Sequence, residues 1–291
     1  MNNMKNFGIV GGDKRNLFLS KMLIEDGYSV KICGFENLNS YSDLNKIYDS
    51  LKNIMSDTEY IIFPVVPTSD YKTVNAPFSS SNILIDDKLI NLLENKIIFC
   101  GKKEALYKSN ENFKNLKIKD YSSREDFMIF NARPTAEGAI YIALKEYDKI
   151  LFGSNCLVSG FGRIGKVLTK LLNTFGCNVS VSARKSSDLL WIETLGYTPI
   201  HTNNLNNIEK YDLIFNTVPY MIFDKTLLST CKKETIIIDL ASKPGGTDFE
   251  YASINKIKTI HALGLPGKNT PYTAAKIIKK SIYKIIEEEN L

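Results

Sequence analysis

The segment that most constrains this chain is Gly160-Phe161-Gly162-Arg163-Ile164-Gly165. The apolar run Cys156–Ser159 leads into it, and the amphipathic stretch Ile164–Phe175, stopped by Gly176, leads out. Such a junction needs glycine for separate reasons. Gly160 permits the tight turn, Gly162 lets the backbone approach a pyrophosphate, and Gly165 lets helix and strand pack closely. Free amides at the helix start favour phosphate charge. The spacing, with Phe161, Arg163 and Ile164 between the glycines, predicts a dinucleotide site; a purely structural glycine turn is the other reading.

The same pattern starts twice. GIVGGDKRNLFLSKMLIEDGYSVKICGF from Gly8 and LVSGFGRIGKVLTKLLNTFGCNVSVSAR from Leu157 both run strand, glycine turn, helix, glycine, strand. Strand-length apolar runs recur at Phe7–Val10, Ser29–Cys33, Tyr60–Val65, Ile97–Cys100, Leu116–Ile118, Cys156–Ser159, Val179–Ala183, Leu213–Thr217, Ile236–Leu240 and Thr259–Leu263. Most are rich in Ile, Val and Phe, as strands buried on both faces are. The expected fold is α/β, with two Rossmann-like doubly wound parallel-sheet domains and a cleft between them. A chain of 291 residues suits two domains. We place them at 1–128 and 129–270, with the C-terminal helix in 271–291, after Pro271, packing back on the first. The boundary is expected in Tyr121–Pro134, with Pro134 in the first turn of a helix through Thr135–Tyr147. Asn131, Arg133, Thr135 and Glu137 would then face the cleft or cap that helix.

Bulk properties exclude several classes. The net charge is +5, from 37 basic and 32 acidic residues that are interleaved, which argues against nucleic-acid binding. Five scattered cysteines without a CxxC pair, and only His201 and His261 as histidines, give no metal site and suggest reduced, buried thiols. No apolar run approaches the roughly 20 residues of a membrane span. The N-terminus lacks a signal-peptide core, so a cytoplasmic protein is expected.

Cofactor choice is read at the end of the second strand. Enzymes using NAD usually place Asp or Glu there for the ribose 2′-hydroxyl. Here stand Ala183-Arg184-Lys185-Ser186-Ser187. Arg184 and Lys185 would attract a 2′-phosphate and Ser186 could donate to it, predicting NADP(H); a solvated basic turn is the alternative. Thr217, Val218 and Pro219 follow another strand and would sit beside the nicotinamide or begin a helix. In Asp239–Asp248, Lys243 could bind a carboxylate or act as an acid, or be a surface lysine, and Asp248 is a candidate acid or base. His261 is either a general acid–base or a hydrogen-bonded structural histidine. In the first turn, Asp13 would repel phosphate, which argues against a second dinucleotide site. Arg15 is a candidate clamp for a substrate carboxylate, or a surface arginine.

Taken together, these segments resemble the dipicolinate synthase A-subunit family of spore-forming bacteria. The anchors are GIVGGDKR at Gly8–Arg15, NARPTAEG at Asn131–Gly138, GFGRIG at Gly160–Gly165, SARKSS at Ser182–Ser187, NTVP at Asn216–Pro219, DLASKPGGTDF at Asp239–Phe249 and GLPGKNTPYTA at Gly264–Ala274. GFGRIG is common to many dehydrogenases; DLASKPGGTDF followed by GLPGK is much more specific. Lys243 stands where the resemblance implies arginine, and either is cationic. The resemblance implies oxidation of a dihydrodipicolinate-type precursor (4-hydroxy-tetrahydrodipicolinate) to pyridine-2,6-dicarboxylate, with hydride passing to NADP. It also implies a flavoprotein-like partner, the dipicolinate synthase B-subunit, and work in the mother-cell cytoplasm of a sporulating bacterium. A homo-oligomer is also compatible.

A dicarboxylate needs cations, for which Arg15, Arg133 and Lys243 are candidates. Asp13, Glu137, Asp248 and His261 are candidates to move the ring proton, in no fixed order. Two other readings stay open. One is a 2-hydroxyacid or amino-acid dehydrogenase. The other is an NADP-binding scaffold or regulatory protein whose partner holds the chemistry.

Overall fold

Among the described residues, every paired strand runs parallel to its neighbours, and the strands form two separate sheets. This is what repeated strand–helix–strand connections require, since a parallel return needs a long crossover. The structure, a computed structural model, describes residues 6–38 and 49–291. It divides into Met1–Met128 with Thr270–Leu291, and Ile129–Asn269.

The first unit contains β1 (Asn6–Val10), α1 (Lys14–Glu25), β2 (Ser29–Cys33), α2 (Leu51–Asp57), β3 (Tyr60–Ile62), α3 (Asp87–Leu93), β4 (Ile97–Cys100), α4 (Lys103–Ser109) and β5 (Lys117–Asp120). Its strand order is β2-β1-β3-β4-β5. The order reverses between β1 and β3, the kind of switch point beyond whose carboxyl ends open α/β sheets bind ligands. α5 (Glu125–Glu146) follows.

The second unit contains β6 (Asn155–Ser159), α6 (Arg163–Thr174), β7 (Asn178–Ala183), α7 (Ser186–Thr194), β8 (Thr198–His201), β9 (Leu213–Asn216), α8 (Lys225–Leu228), β10 (Ile236–Asp239), α9 (Phe249–Ile254), β11 (Lys258–His261) and α10 (Leu265–Asn269). Its order is β11-β10-β9-β6-β7-β8, with the switch point between β6 and β9. β8 is not among the strands expected from sequence, because Thr198-Pro199-Ile200-His201 has no apolar run. It is an edge strand, where proline is tolerated.

α11 (Pro271–Glu288) starts on its proline and lays Ala275, Ile278, Ile282 and Ile285 into the first unit's core, with Leu19 and Leu23 of α1. Polar contacts reinforce it. Arg124 donates to both carboxylate oxygens of Glu288, and Lys284 pairs with Asp126 at 3.0 Å.

One expectation is corrected. Pro134 lies inside α5, not in the first turn of a helix, and the helix begins at Glu125 rather than Thr135. Proline there forgoes one helical hydrogen bond, at about 3 kcal/mol. The adjacent Thr135 hydroxyl donates to the Asn131 carbonyl at 2.7 Å. The buried small residues Ala132, Ala136, Ala139 and Ala143 favour continuous helix and close packing, and packing wins. Asn131, Arg133, Thr135 and Glu137 are therefore mid-helix residues and not caps.

Candidate functional site

The two glycine turns are built alike and finished differently. In the first unit, Gly11 (φ +64°) and Gly12 (φ +109°) turn the chain after β1. The Gly12 amide donates to Asn75 O at 2.8 Å, and a methyl on Gly11 would meet Val74 Cγ1 at 2.9 Å. These glycines make room for the protein's own chain. Asp13 then caps α1, accepting from the Arg15 amide at 3.0 Å. Its carboxylate also receives Arg15 Nε at 2.9 Å and Nη2 at 2.8 Å. Arg15, expected as a substrate clamp, is thus held in a fork by its own neighbour, with part of its donor set left over. Nearby, the buried Tyr121 hydroxyl donates to Phe63 O at 3.0 Å, and burial pushes this phenol well above its usual range.

In the second unit the helix start carries no such plug. Gly162 is the N-cap of α6, and among the described residues no side chain caps it and a methyl there would meet nothing within 4 Å. Gly160 (φ +98°) leaves no room for a side chain against Thr217 and Val218, and a methyl on Gly165 would overlap the Gly160 carbonyl. So Gly160 and Gly165 are required by packing, while Gly162 opens outward. A cleft of about 280 Å³ lies over this turn. It is lined by Gly160, Phe161 and Gly162, by Arg184 and Lys185 after β7, and by Thr217, Val218 and Pro219 after β9. Helix amides without a side-chain cap, an open glycine and two cations fit a dinucleotide phosphate backbone. Arg163 begins α6 beside the cleft, and Ile164 turns partly into the core. Ser186 opens α7, again without a side-chain cap.

Some of these residues hold the fold as well. The Thr217 hydroxyl donates to Ser159 O at 2.9 Å, tying the ends of β6 and β9 together. Asp188 lines the same cleft and was missed from sequence. Its only signal was an acid in the first turn of α7, a position that ordinary helix chemistry already favours.

The remaining candidates have different local settings. Asp248 caps α9, accepting from the Tyr251 amide at 2.9 Å. The His261 Nε2 lies 2.9 Å from Ala241 O, and its ring stacks on Phe249 at 4.9 Å. Lys243 is exposed on the turn after β10. Arg133 and Glu137 are exposed one turn apart on α5, with the Arg133 guanidinium 5.7 Å from the Phe130 ring. His201 Nδ1 accepts from the Asn203 amide at 3.2 Å, a turn contact at the sheet edge.

Comparison with known proteins adds a family. Residues 6–122 match the family model for the N-terminal domain of the dipicolinate synthase A-subunit. Residues 133–243 match that for the NAD-binding domain of D-isomer specific 2-hydroxyacid dehydrogenases. The dipicolinate synthase A-subunit of Bacillus subtilis (strain 168) is 33% identical over 283 residues, covering 96% of this chain and 95% of the relative. The crystal structure of the dipicolinate synthase A-subunit from Bacillus halodurans superposes with a TM-score of 0.87 at 28% identity, covering 98% of this chain and 99% of the other. A transhydrogenase from Sinorhizobium meliloti, 13% identical with a TM-score of 0.73 over 98% of this chain and 94% of its own, shares the fold.

Proposed function

The chain belongs to the dipicolinate synthase A-subunit family, and from that premise we propose that it oxidises a dihydrodipicolinate-type precursor to pyridine-2,6-dicarboxylate with NADP⁺ as hydride acceptor. Starting from the 4-hydroxy-tetrahydro form, water leaves first; the ring then loses a hydride and a proton and becomes aromatic. The Rossmann-type second unit supports an oxidoreductase with a nicotinamide cofactor. The carrying observation is the uncapped start of α6 beside Arg184 and Lys185, where NAD enzymes place an acid.

When bound, the cofactor supplies the hydride acceptor. The protein's part is binding, orientation and proton movement. The α6 amides and Gly162 would hold the pyrophosphate, and Arg184, Lys185 and Ser186 the 2′-phosphate. We assign substrate contacts to the first unit, with Arg15 already oriented by Asp13, and carboxylate contacts also to Arg133 and Lys243. Among the acid–base candidates, Asp13 and Asp248 are committed to helix caps and His261 to Ala241 O. Glu137 is exposed and not used as a cap, which favours it for moving the ring proton. The partner would be the flavoprotein-like dipicolinate synthase B-subunit, and the setting the mother cell of a sporulating bacterium.

The test is direct. Purified chain, with and without that partner, is mixed with freshly made precursor and NADP⁺ or NAD⁺, following NADPH absorbance and dipicolinate together. Stoichiometric appearance of both, faster with NADP⁺, is expected. NADPH binding without turnover in either mixture would replace this reading with the scaffold one. Arg15→Ala should raise KM for the dicarboxylate and leave NADPH affinity alone; unchanged kinetics would remove Arg15 from the site.

A further inference from the structure

Asp239, the last residue of β10, is fully buried and accepts hydrogen bonds at both oxygens. Its Oδ1 accepts from Asn216 Nδ2 and the Ala241 amide, each at 3.0 Å. Its Oδ2 accepts from the Gly246 amide and the Thr247 hydroxyl, each at 2.8 Å. These four bonds match the acceptor sites of a carboxylate. They reach two different segments of chain. Asn216 ends β9 and also fixes the next turn, donating to Val218 O at 3.0 Å and accepting from the Val218 amide at 3.1 Å. Ala241 and Gly246 bracket Lys243. Gly246 itself is pressed against the β9 turn: a methyl there would lie 2.5 Å from both Val218 O and Tyr220 O. Its carbonyl accepts from the Ile222 and Phe223 amides at 2.9 Å. On the far side, Ala241 O is held by His261.

We infer that Asp239 is a positioning residue: its carboxylate locks the Lys243 turn to the Thr217–Pro219 rim of the cofactor cleft, presenting the Lys243 ammonium to a substrate carboxylate in a geometry set before substrate arrives. The 240–248 segment is accordingly a fixed wall and not a closing lid. The substrate part of this inference rests on the function proposed above; the locking part does not.

Asp239→Asn is a sharp perturbation. A carboxamide NH₂ placed at Oδ1 would face the Ala241 amide, and placed at Oδ2 would face the Gly246 amide, so neither flip restores the pattern. Thr247→Val is the gentler variant, removing one donor of the four, and Thr247→Ser restores it. Hydrogen–deuterium exchange on the full chain should show the Ala241 and Gly246 amides exchanging at least tenfold faster in Asp239→Asn and several-fold faster in Thr247→Val. Thr247→Ser should match the wild type. With precursor, Thr247→Val should lower kcat/KM several-fold and leave NADPH affinity within twofold. In a Lys243→Ala background the same change should cost nothing further. Unchanged exchange in both variants would overturn the inference, as would losses that add fully to Lys243→Ala. Should the wild type bind NADPH but turn nothing over, the substrate reading fails, and the exchange arm alone decides whether Asp239 locks the turn.

Discussion

Gly162 and Gly165 are three residues apart in one motif, and the structure gives them opposite reasons to be glycine. Gly165→Ala would drive a methyl into the Gly160 carbonyl, a backbone atom that cannot swing away. Overpacking of this kind costs about 1–3 kcal/mol. For domains of this size that lowers Tm by about 2–12 °C. Gly162→Ala meets no atom of the described residues within 4 Å, and its φ of −81° and ψ of −162° suit any residue. Its stability cost is the ordinary one of alanine at an N-cap, below about 1 kcal/mol. A methyl there would instead obstruct a phosphate approaching the α6 amides. Losing one hydrogen bond to a charged group, about 1.5–3 kcal/mol, weakens NADPH binding about 10- to 100-fold. Differential scanning fluorimetry without nucleotide and calorimetric titration with NADPH separate the two effects. Wild-type affinity in Gly162→Ala, or a Tm drop there as large as in Gly165→Ala, would refute the assignment of this turn to a pyrophosphate.

Arg184→Ala should weaken NADPH about 10- to 100-fold in a fluorescence titration and leave NADH nearly unchanged, since only NADPH carries the 2′-phosphate; equal losses would place Arg184 elsewhere. Asp126 gives a pH prediction. Burial raises its carboxyl, but bonds from Arg124, Lys284 and the Phe127 amide outweigh that and hold it at about 2. That lies below the unfolded value of about 3.9. The contribution is therefore complete above about pH 4 and fades as pH falls toward 2. Asp126→Asn should cost about 1 kcal/mol or less at pH 7, because the pair is partly solvated. It should also flatten the acid limb of urea melts between pH 4 and 2; an unchanged limb would discount the network. Cys33, Cys100, Cys156 and Cys177 are buried, and burial pushes the Cys33 thiol up to about 12. Only Cys231 is partly exposed, so a thiol reagent at pH 8 should label it first in the native protein, with peptide mapping as the check.

Much of the fold was legible because its signals are local. The runs at Ser29–Cys33 and Ile97–Cys100 are strands with those bounds, and Gly27 and Gly176 stop the two amphipathic helices that follow the glycine turns. Longer apolar runs overshoot: Tyr60–Val65 supplies only Tyr60–Ile62, since Pro64 cannot donate to a ladder. β8 was invisible because an edge strand needs no buried face on both sides. α5 was misread because proline is a strong local signal, whereas the four buried alanines that overrule it show their worth only once packed against a core.

The glycine turn of the second unit could be read from sequence because its reasons are local: Gly160 and Gly165 are forced by close approach at the strand–helix junction, and Gly162 leaves the helix start open. Carboxylates do not. Asp13, Asp239 and Asp248 each follow or end a strand, where a catalytic acid would be sought, and each spends its oxygens on the chain around it. A helix cap, a loop anchor and a general base demand the same residue type at the same kind of position, so sequence alone cannot part them. Counting donors does. Asp239 receives two backbone amides, an amide side chain and a hydroxyl, which leaves it no free acceptor for a substrate proton. Asp13 gives its oxygens to Arg15, and so sharpens that cation's aim while leaving the acid–base role. On the proposed reading, a substrate carboxylate would be met by the groups these carboxylates orient, Arg15 in one unit and Lys243 in the other, and the acids would serve as their supports.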